Sequence, residues 1–295
     1  MTMLVMGNKK NDMCKLMNPI YSRRLTRRLP ILLAALLFAG CASTSPEKPL
    51  PYPPAVLPAA SAPALDPIAP TVVRHGSRKT KLIALTFDAC STHAPSGYDP
   101  RIARTLIEQR VPATLFLGGK WIQEHPAEAR ELATNPLFEL GNHTYLHPHP
   151  TRVSPERLRQ EIDWTQNALY QVSGRQATLF RAPYGEIDYR VVKIAADAGL
   201  TTVQFDLASG DPDKRINRQK LADYVSGTAR NGSIVVMHIN HNGKHTAAAL
   251  PEIIRRLRAR GFEFVTVSEL MARAQPLKPD PAQAKIKPAR PIDNN

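Results

Sequence analysis

Cysteine is scarce in this chain of 295 residues, with only Cys14, Cys41 and Cys90. Three are too few for a disulfide framework, and no pair has zinc-finger spacing. Long apolar runs are scarce as well. The run from Leu29 to Ala39 falls short of the ~20 residues that a membrane-spanning helix needs. Aromatic residues make up 6%, and no basic, aromatic-interleaved face is readable beyond the leader. A nucleic-acid partner is therefore not expected, despite a formal net charge of +14. Residues 1–40 hold seven Lys/Arg against Asp12, so much of that charge sits in the leader. What is abundant is apolar content, 43% of the chain, enough to bury a sizeable core.

Residues 21–41 read YSRRLTRRLPILLAALLFAGC. A basic region, a short apolar region and small residues before a cut site describe a secretory signal. The Phe38-Ala39-Gly40-Cys41 segment resembles a bacterial lipobox, with Phe where Leu is usual. That resemblance implies cleavage before Cys41 and lipid on its sulfur and amine, tethering the protein to a membrane instead of spanning it. Arg23-Arg24 and Arg27-Arg28 lack the full twin-arginine pattern, and Met13 and Met17 offer later starts. Nine of the 27 prolines fall in residues 42–77 and five in 274–295. Both stretches read as extended and unpacked, the first as a tether and the second as a solvated tail. The expected organisation is a signal over 1–40, a lipidated tether over 41–77, a folded domain over 78–273 and a tail over 274–295.

Within that domain short apolar runs alternate with helical periodicity. Strands are expected at 81–87, 113–117, 137–141, 178–181, 201–206, 233–238 and 263–267. Asp99-Pro100 reads as an N-cap with proline at N1, opening a helix that turns Ile102, Leu106 and Ile107 inward. Residues 155–173 form a helix with Leu158, Ile162, Leu169 and Val172 on one face, and 247–260 another with Leu250, Ile253, Ile254 and Leu257. Strand-then-helix order repeated in this way means parallel strands. Seven units in so short a span fit a distorted (β/α) barrel with about seven parallel strands better than an eight-unit barrel of ~250 residues. Asp88, His143, His147, Arg181, Asp206, Asp211 and His238 all follow or end such strands, and in a parallel barrel those ends share one face.

The segments Thr86-Phe87-Asp88, His143-Thr144-Tyr145-Leu146-His147, Arg181-Ala182-Pro183-Tyr184, Asp206 to Asp211 and Val236-Met237-His238 resemble, in order, the motifs of the polysaccharide deacetylases of the NodB homology family (carbohydrate esterase family 4). The likeness runs from about Lys81 to Arg273. It implies a metal-dependent hydrolase that removes N-acetyl or O-acetyl groups from an acetylated polysaccharide such as peptidoglycan or poly-N-acetylglucosamine. With the lipid on Cys41 it implies a monomer at the periplasmic face of a bacterial membrane.

The same resemblance assigns roles. His143 and His147 match metal ligands, with zinc suited to imidazoles; their spacing fits a helical turn or a short loop. Asp88 matches the base that deprotonates water, and Arg181 the residue that holds it ionised. His238 matches the acid that protonates the leaving amine, and Asp211 the carboxylate that orients it. Tyr184 matches a residue whose backbone N–H binds the oxyanion.

The family's second Asp, a third metal ligand directly after the base, is replaced by Ala89. Asp88 itself, His93, His149 and Cys90 are the available substitutes, with Asp99 explained more simply as a helix cap. Restoring Asp at position 89 is expected to tighten metal binding. Pro212 and Phe205 stand where the family often has Trp, so the acetyl pocket is expected to be lined differently. Two other readings follow: a catalytically silent glycan-binding protein that has lost its metal through Ala89, and an amidase for a small cyclic amide. Retention of a base, its clamp, an acid and its orienter favours the enzyme, and an exported, tethered protein favours a polymer.

Overall fold

Leu82 to Ala89 reads LIALTFDA, and all eight side chains are buried, as a strand covered on both faces requires. In the computed structural model, which describes residues 61–92 and 94–274, this strand is the axis of the fold. Its alternate side chains serve two cores. Ile83, Leu85, Phe87 and Ala89 join the large apolar cluster shared with the surrounding helices. Leu82 and Ala84 join a second cluster with Val73, Phe116, Leu179, Val203 and Ile234, drawn from other strands.

In chain order the elements are β1 (Val72–Val73), β2 (Leu82–Ala89), α1 (Pro100–Glu108), β3 (Ala113–Leu117), α2 (Gly119–Glu124), α3 (Pro126–Thr134), β4 (Phe138–Asn142), α4 (Pro155–Ser173) and β5 (Leu179–Phe180). They continue as α5 (Tyr189–Asp197), β6 (Thr201–Val203), β7 (Leu207–Ala208), α6 (Arg218–Thr228), β8 (Ser233–His238), α7 (Thr246–Ala259), β9 (Glu263–Phe264) and α8 (Val267–Ala272). The strand order is β1-β6-β5-β4-β3-β2-β8-β7, with β9 on β2. Every pairing between these strands is parallel. β6 bonds to β5 and β7 to β8, and the two are consecutive in the chain. The ladder leaving β2 in both directions thus returns to one segment, which makes the distorted barrel.

All seven expected strands are present, but the fifth is broken. Its break, residues 204–206, spends its polar groups elsewhere: the Gln204 carbonyl accepts from Arg181, and the Asp206 carboxylate accepts from Ser233 Oγ and Ile234 N–H. The α1 helix starts at Pro100 on the Asp99 cap, with Ile102 and Leu106 buried. Ile107, expected inward, is instead 37% exposed at the edge of that stripe. The 19-residue α4 matches its expected bounds, capped by Ser154 and ended by Gly174 in the left-handed region at φ 66°.

The tether reading fails from Ala62 onward. Ala62 N–H donates to Asn167 Oδ1 at 2.8 Å, Ile68 N–H to the Ala196 carbonyl at 2.9 Å, and Gly76 N–H to the Gly232 carbonyl at 2.8 Å. Val72 and Val73 pair with Thr202 and Val203, and Leu65 packs on the cluster under α4 and α5. Proline favours extended backbone, but an extended chain can lie along a domain as readily as hang free, because the residues between the prolines keep their N–H groups. The leader, Cys41, residues 42–60, His93 and the tail from 275 lie outside the described residues. Among the described residues no helix is long and apolar enough to cross a membrane.

Candidate active site

Asp88 and His238 are direct partners in the β2–β8 ladder, at the C-terminal end of both strands. Asp88 is 5% exposed. Its Oδ1 accepts from Arg181 Nη1 at 2.8 Å, and the same nitrogen donates to Thr86 Oγ1 at 2.7 Å. The Arg181 guanidinium is itself buried, lying 4.0 Å from the Phe116 ring centroid. Burial alone would raise the Asp88 pKa, but the charge of Arg181 and its hydrogen bond outweigh it and hold the carboxyl below its ordinary value.

His143 follows β4, and its Nδ1 lies 2.8 Å from the Arg181 carbonyl. A carbonyl only accepts, so Nδ1 carries the proton and Nε2 presents its lone pair, 3.8 Å from Asp88 Oδ2. His143 and His147 sit in a loop, not a helix, with Thr144 at φ 61° and His147 at φ 55°. Such backbone is costly for residues with a Cβ and needs external support. That support was not foreseen. The buried Glu161 carboxylate of α4 accepts the N–H groups of Tyr145 and Leu146 at 2.8 and 2.6 Å, and Arg157 Nη2 at 2.5 Å. Asn142 Oδ1 accepts from Thr144 N–H, while its amide donates to Ile162 O and Gln166 Oε1. A Glu buried on the apolar face of α4, at 161 between Leu158 and Ile162, was the readable signal.

Burial depresses the pKa of both imidazoles, that of His147 to about 3, so both are neutral. His147 Nδ1 is buried with no hydrogen-bond partner. One ring nitrogen of each histidine and Cys90 Sγ lie within 4.8 Å of one another. Neutral imidazoles with free nitrogens beside a thiol suit a borderline-soft divalent ion. Burial and the Asp88 charge push the Cys90 thiol up to about 12 in the metal-free protein.

Of the other proposed ligands, Asp99 caps α1 and bonds to the Arg101 side chain, and His149 Nδ1 lies 3.0 Å from Glu186 Oε1 while its ring stacks on Tyr184. Ala89 is fully buried in the outer apolar cluster. An Asp side chain at 89 would have to leave that cluster to reach the histidines, which argues against tighter metal binding by Ala89→Asp.

Asp211 organises the far side of the site. Its Oδ1 lies 2.9 Å from His238 Nδ1 and accepts from Ser209 Oγ, and its Oδ2 accepts from His238 N–H at 2.8 Å and Thr246 Oγ1 at 2.6 Å. A Cβ on Gly243 would lie 2.5 Å from Asp211 Oδ2, so only glycine fits there. Burial would lower the His238 pKa, yet the hydrogen bond and charge of Asp211 leave it raised. Tyr184, at φ 58°, presents a ring 55% exposed and 4.5 Å from that of His147. Phe205 stands 5.7 Å from the Arg181 guanidinium, and Pro212 is exposed. Asp206 does not join the site. It pairs with Arg78 at 2.8 Å and binds the start of β8, the end of that strand opposite His238.

Comparison with known proteins agrees with this arrangement. The polysaccharide deacetylase family profile matches residues 75–203. A peptidoglycan-N-acetylglucosamine deacetylase of Bacillus cereus is 32% identical over 194 residues, covering 65% of this chain and 88% of that protein. One from Listeria monocytogenes is 34% identical over 195 residues, covering 66% of this chain but 40% of that protein. The chain thus spans less than half the length of some relatives, including 31% of a bifunctional xylanase/deacetylase from Pseudobutyrivibrio xylanivorans. Among solved structures, a CE4 family pseudoenzyme from Bacillus anthracis aligns with TM-score 0.63 at 28% identity, covering 69% of each chain. Sequence motifs, barrel topology and relatives converge: the chain belongs to the polysaccharide deacetylase family.

Proposed function

We propose that the protein is a metal-dependent hydrolase that removes N-acetyl, or O-acetyl, groups from a cell-envelope polysaccharide such as peptidoglycan or poly-N-acetylglucosamine. One observation carries the reading: a carboxylate kept ionised, Asp88 with Arg181, faces an imidazole of raised proton affinity, His238 with Asp211, across adjacent strands. Opposed tuning of two neighbouring groups is what acid–base hydrolysis needs. His143 and His147, with Asp88 and Cys90 beside them, would hold the ion, zinc by donor type; when bound it polarises the acetyl carbonyl.

The remaining steps belong to the protein. Asp88 takes the proton of the attacking water at Oδ2, the oxygen that Arg181 leaves free. Asp211 holds His238 Nδ1, so Nε2 faces the substrate and gives its proton to the leaving amine as the C–N bond breaks and acetate departs. The backbone N–H of Tyr184 is assigned to the oxyanion. The relatives named as peptidoglycan deacetylases support an envelope substrate. Lipidation at Cys41 would place a monomeric enzyme at the periplasmic face of the membrane; replacing Cys41 by Ser should then move the protein to the soluble fraction.

A glycan-binding protein without activity is the second reading, favoured by Ala89 and by likeness to the Bacillus anthracis pseudoenzyme, a mutant of which has restored enzymatic activity. Retention of both tuned pairs supports the enzyme over it. Metal analysis paired with an acetate-release assay on several acetylated glycans separates the two. The enzyme reading expects release that a chelator abolishes and added metal restores; binding without release from any glycan would establish the other.

A further inference from the structure

Three side chains with metal-binding atoms converge beside Asp88, and only two of them belong to the expected ligand pair. We infer that Cys90 is the third protein ligand, giving a Cys-His-His site for a thiophilic divalent ion. The inference rests on the deacetylase reading for the presence of a metal and goes beyond it in naming the donor.

Strand parity explains why position 90 and not 89 is used. Ala89 continues the outward set of Ile83, Leu85 and Phe87 into the apolar cluster, so the next residue is the first past the strand that can turn toward the histidines. Its backbone is fixed there. Asn240 Nδ2 donates to the Cys90 carbonyl at 3.0 Å, and Gly118 N–H to the Ala89 carbonyl at 2.8 Å. A Cβ at Gly118 would lie 3.3 Å from the carbonyl oxygens of both Ala89 and Thr144, a tight fit that a glycine relieves where the two segments meet.

The donor chemistry is conservative in charge and changed in softness. A thiolate, like a carboxylate, brings one negative charge to two neutral imidazoles. On binding, the S–H proton passes to solvent and a sulfur–metal bond forms. Sulfur shifts preference toward zinc and similar ions and away from magnesium or manganese. The buried His147 nitrogen without a hydrogen-bond partner is consistent with an ion in this cluster. Of the competing donors, Asp99 is engaged by Arg101 and His149 by Glu186, while Asp88 has Oδ1 held by Arg181 and its free Oδ2 is assigned to the attacking water.

The test uses the full chain with Cys14 and Cys41 replaced by Ser, so that Cys90 is the only thiol. The protein is stripped with a chelator and titrated with Co²⁺. The inference expects a thiolate-to-cobalt charge-transfer band in the near ultraviolet, absent in the same chain carrying Cys90→Ser, and zinc affinity lowered in that variant by at least the ~10-fold that loss of even an outer-shell partner costs. Cobalt binding without the band, or no binding at all, overturns it. Acetate release is measured separately. Release without a thiolate band would defeat the ligand and leave the deacetylase reading standing, whereas a thiolate band without release from any acetylated glycan would do the reverse.

Discussion

Asp88 shows how one residue's task is set by its surroundings. Its carboxylate is buried, which by itself favours the neutral form, and Arg181 reverses that preference. His238 is the complement, held above its ordinary value by Asp211. Its protonated form therefore persists above pH 6.5 and is lost as pH rises through the raised folded value. If His238 is the general acid, the alkaline limb of kcat reports that loss. Replacing Asp211 by Asn removes the charge that raises the value, so this limb should move to lower pH, as a pH–rate profile would show; an unmoved limb would detach His238 from the acid role. Ala89 carries a second prediction. Because its side chain is fully buried among apolar groups, Ala89→Asp should lose roughly 1–3 kcal/mol of stability in chemical denaturation, with zinc affinity not improved.

At the scale of elements, the decisive contact is between α4 and the loop that follows β4. Two positive-φ residues in that loop are held by one carboxylate, Glu161, and one amide, Asn142. Glu161→Gln keeps the shape but replaces a charged acceptor by a neutral one, where hydrogen bonds to charged groups are worth ~1.5–3 kcal/mol. We expect a lower melting temperature and metal affinity weakened by ~10–100-fold, as loss of a group that holds metal ligands in place typically produces, with Asp88 and its Arg181 partner untouched. Isothermal titration with zinc measures it.

The elements were largely legible in the sequence because their signals are local. Pro155 and Gly174 bracket α4, Asp99 and Pro100 open α1, and a run such as SIVVMH needs only its own composition to read as a buried strand. The rim residues Asp88, His143, Arg181, Asp211 and His238 were legible because parallel topology forces strand ends together. Asp206 misled for a geometric reason. It lies in the break between β6 and β7, where position along the sequence no longer tells position along the barrel. Glu161 and the facing of Ala89 depend on contacts between distant segments, and no local pattern encodes those.

For the whole molecule, residues 61–77 are part of the barrel and not a spacer before it. Val73 contributes to the inner cluster with Val203, Ile234 and Leu270, and Gly76 N–H bonds to the Gly232 carbonyl beside β8. Leu270 lies 2.6 Å from where a Cβ on Gly76 would stand. A chain beginning at residue 61 should therefore melt at a clearly higher temperature than one beginning at residue 78, since the shorter form exposes the inner cluster and leaves the Val203 edge unpaired; equal melting temperatures would return the segment to the tether.

Hydrolysis by these paired groups can be measured outright. The most direct measurement is acetate released per molecule of zinc-loaded protein from one acetylated glycan, wild type beside Asp88→Asn. Asparagine has nearly the shape of aspartate but takes no proton, so release should drop by at least the ~10²-fold that a positioned general base supplies, with glycan binding and zinc content retained. Equal release from both proteins, or none from the wild type on any acetylated glycan that it binds, would contradict it.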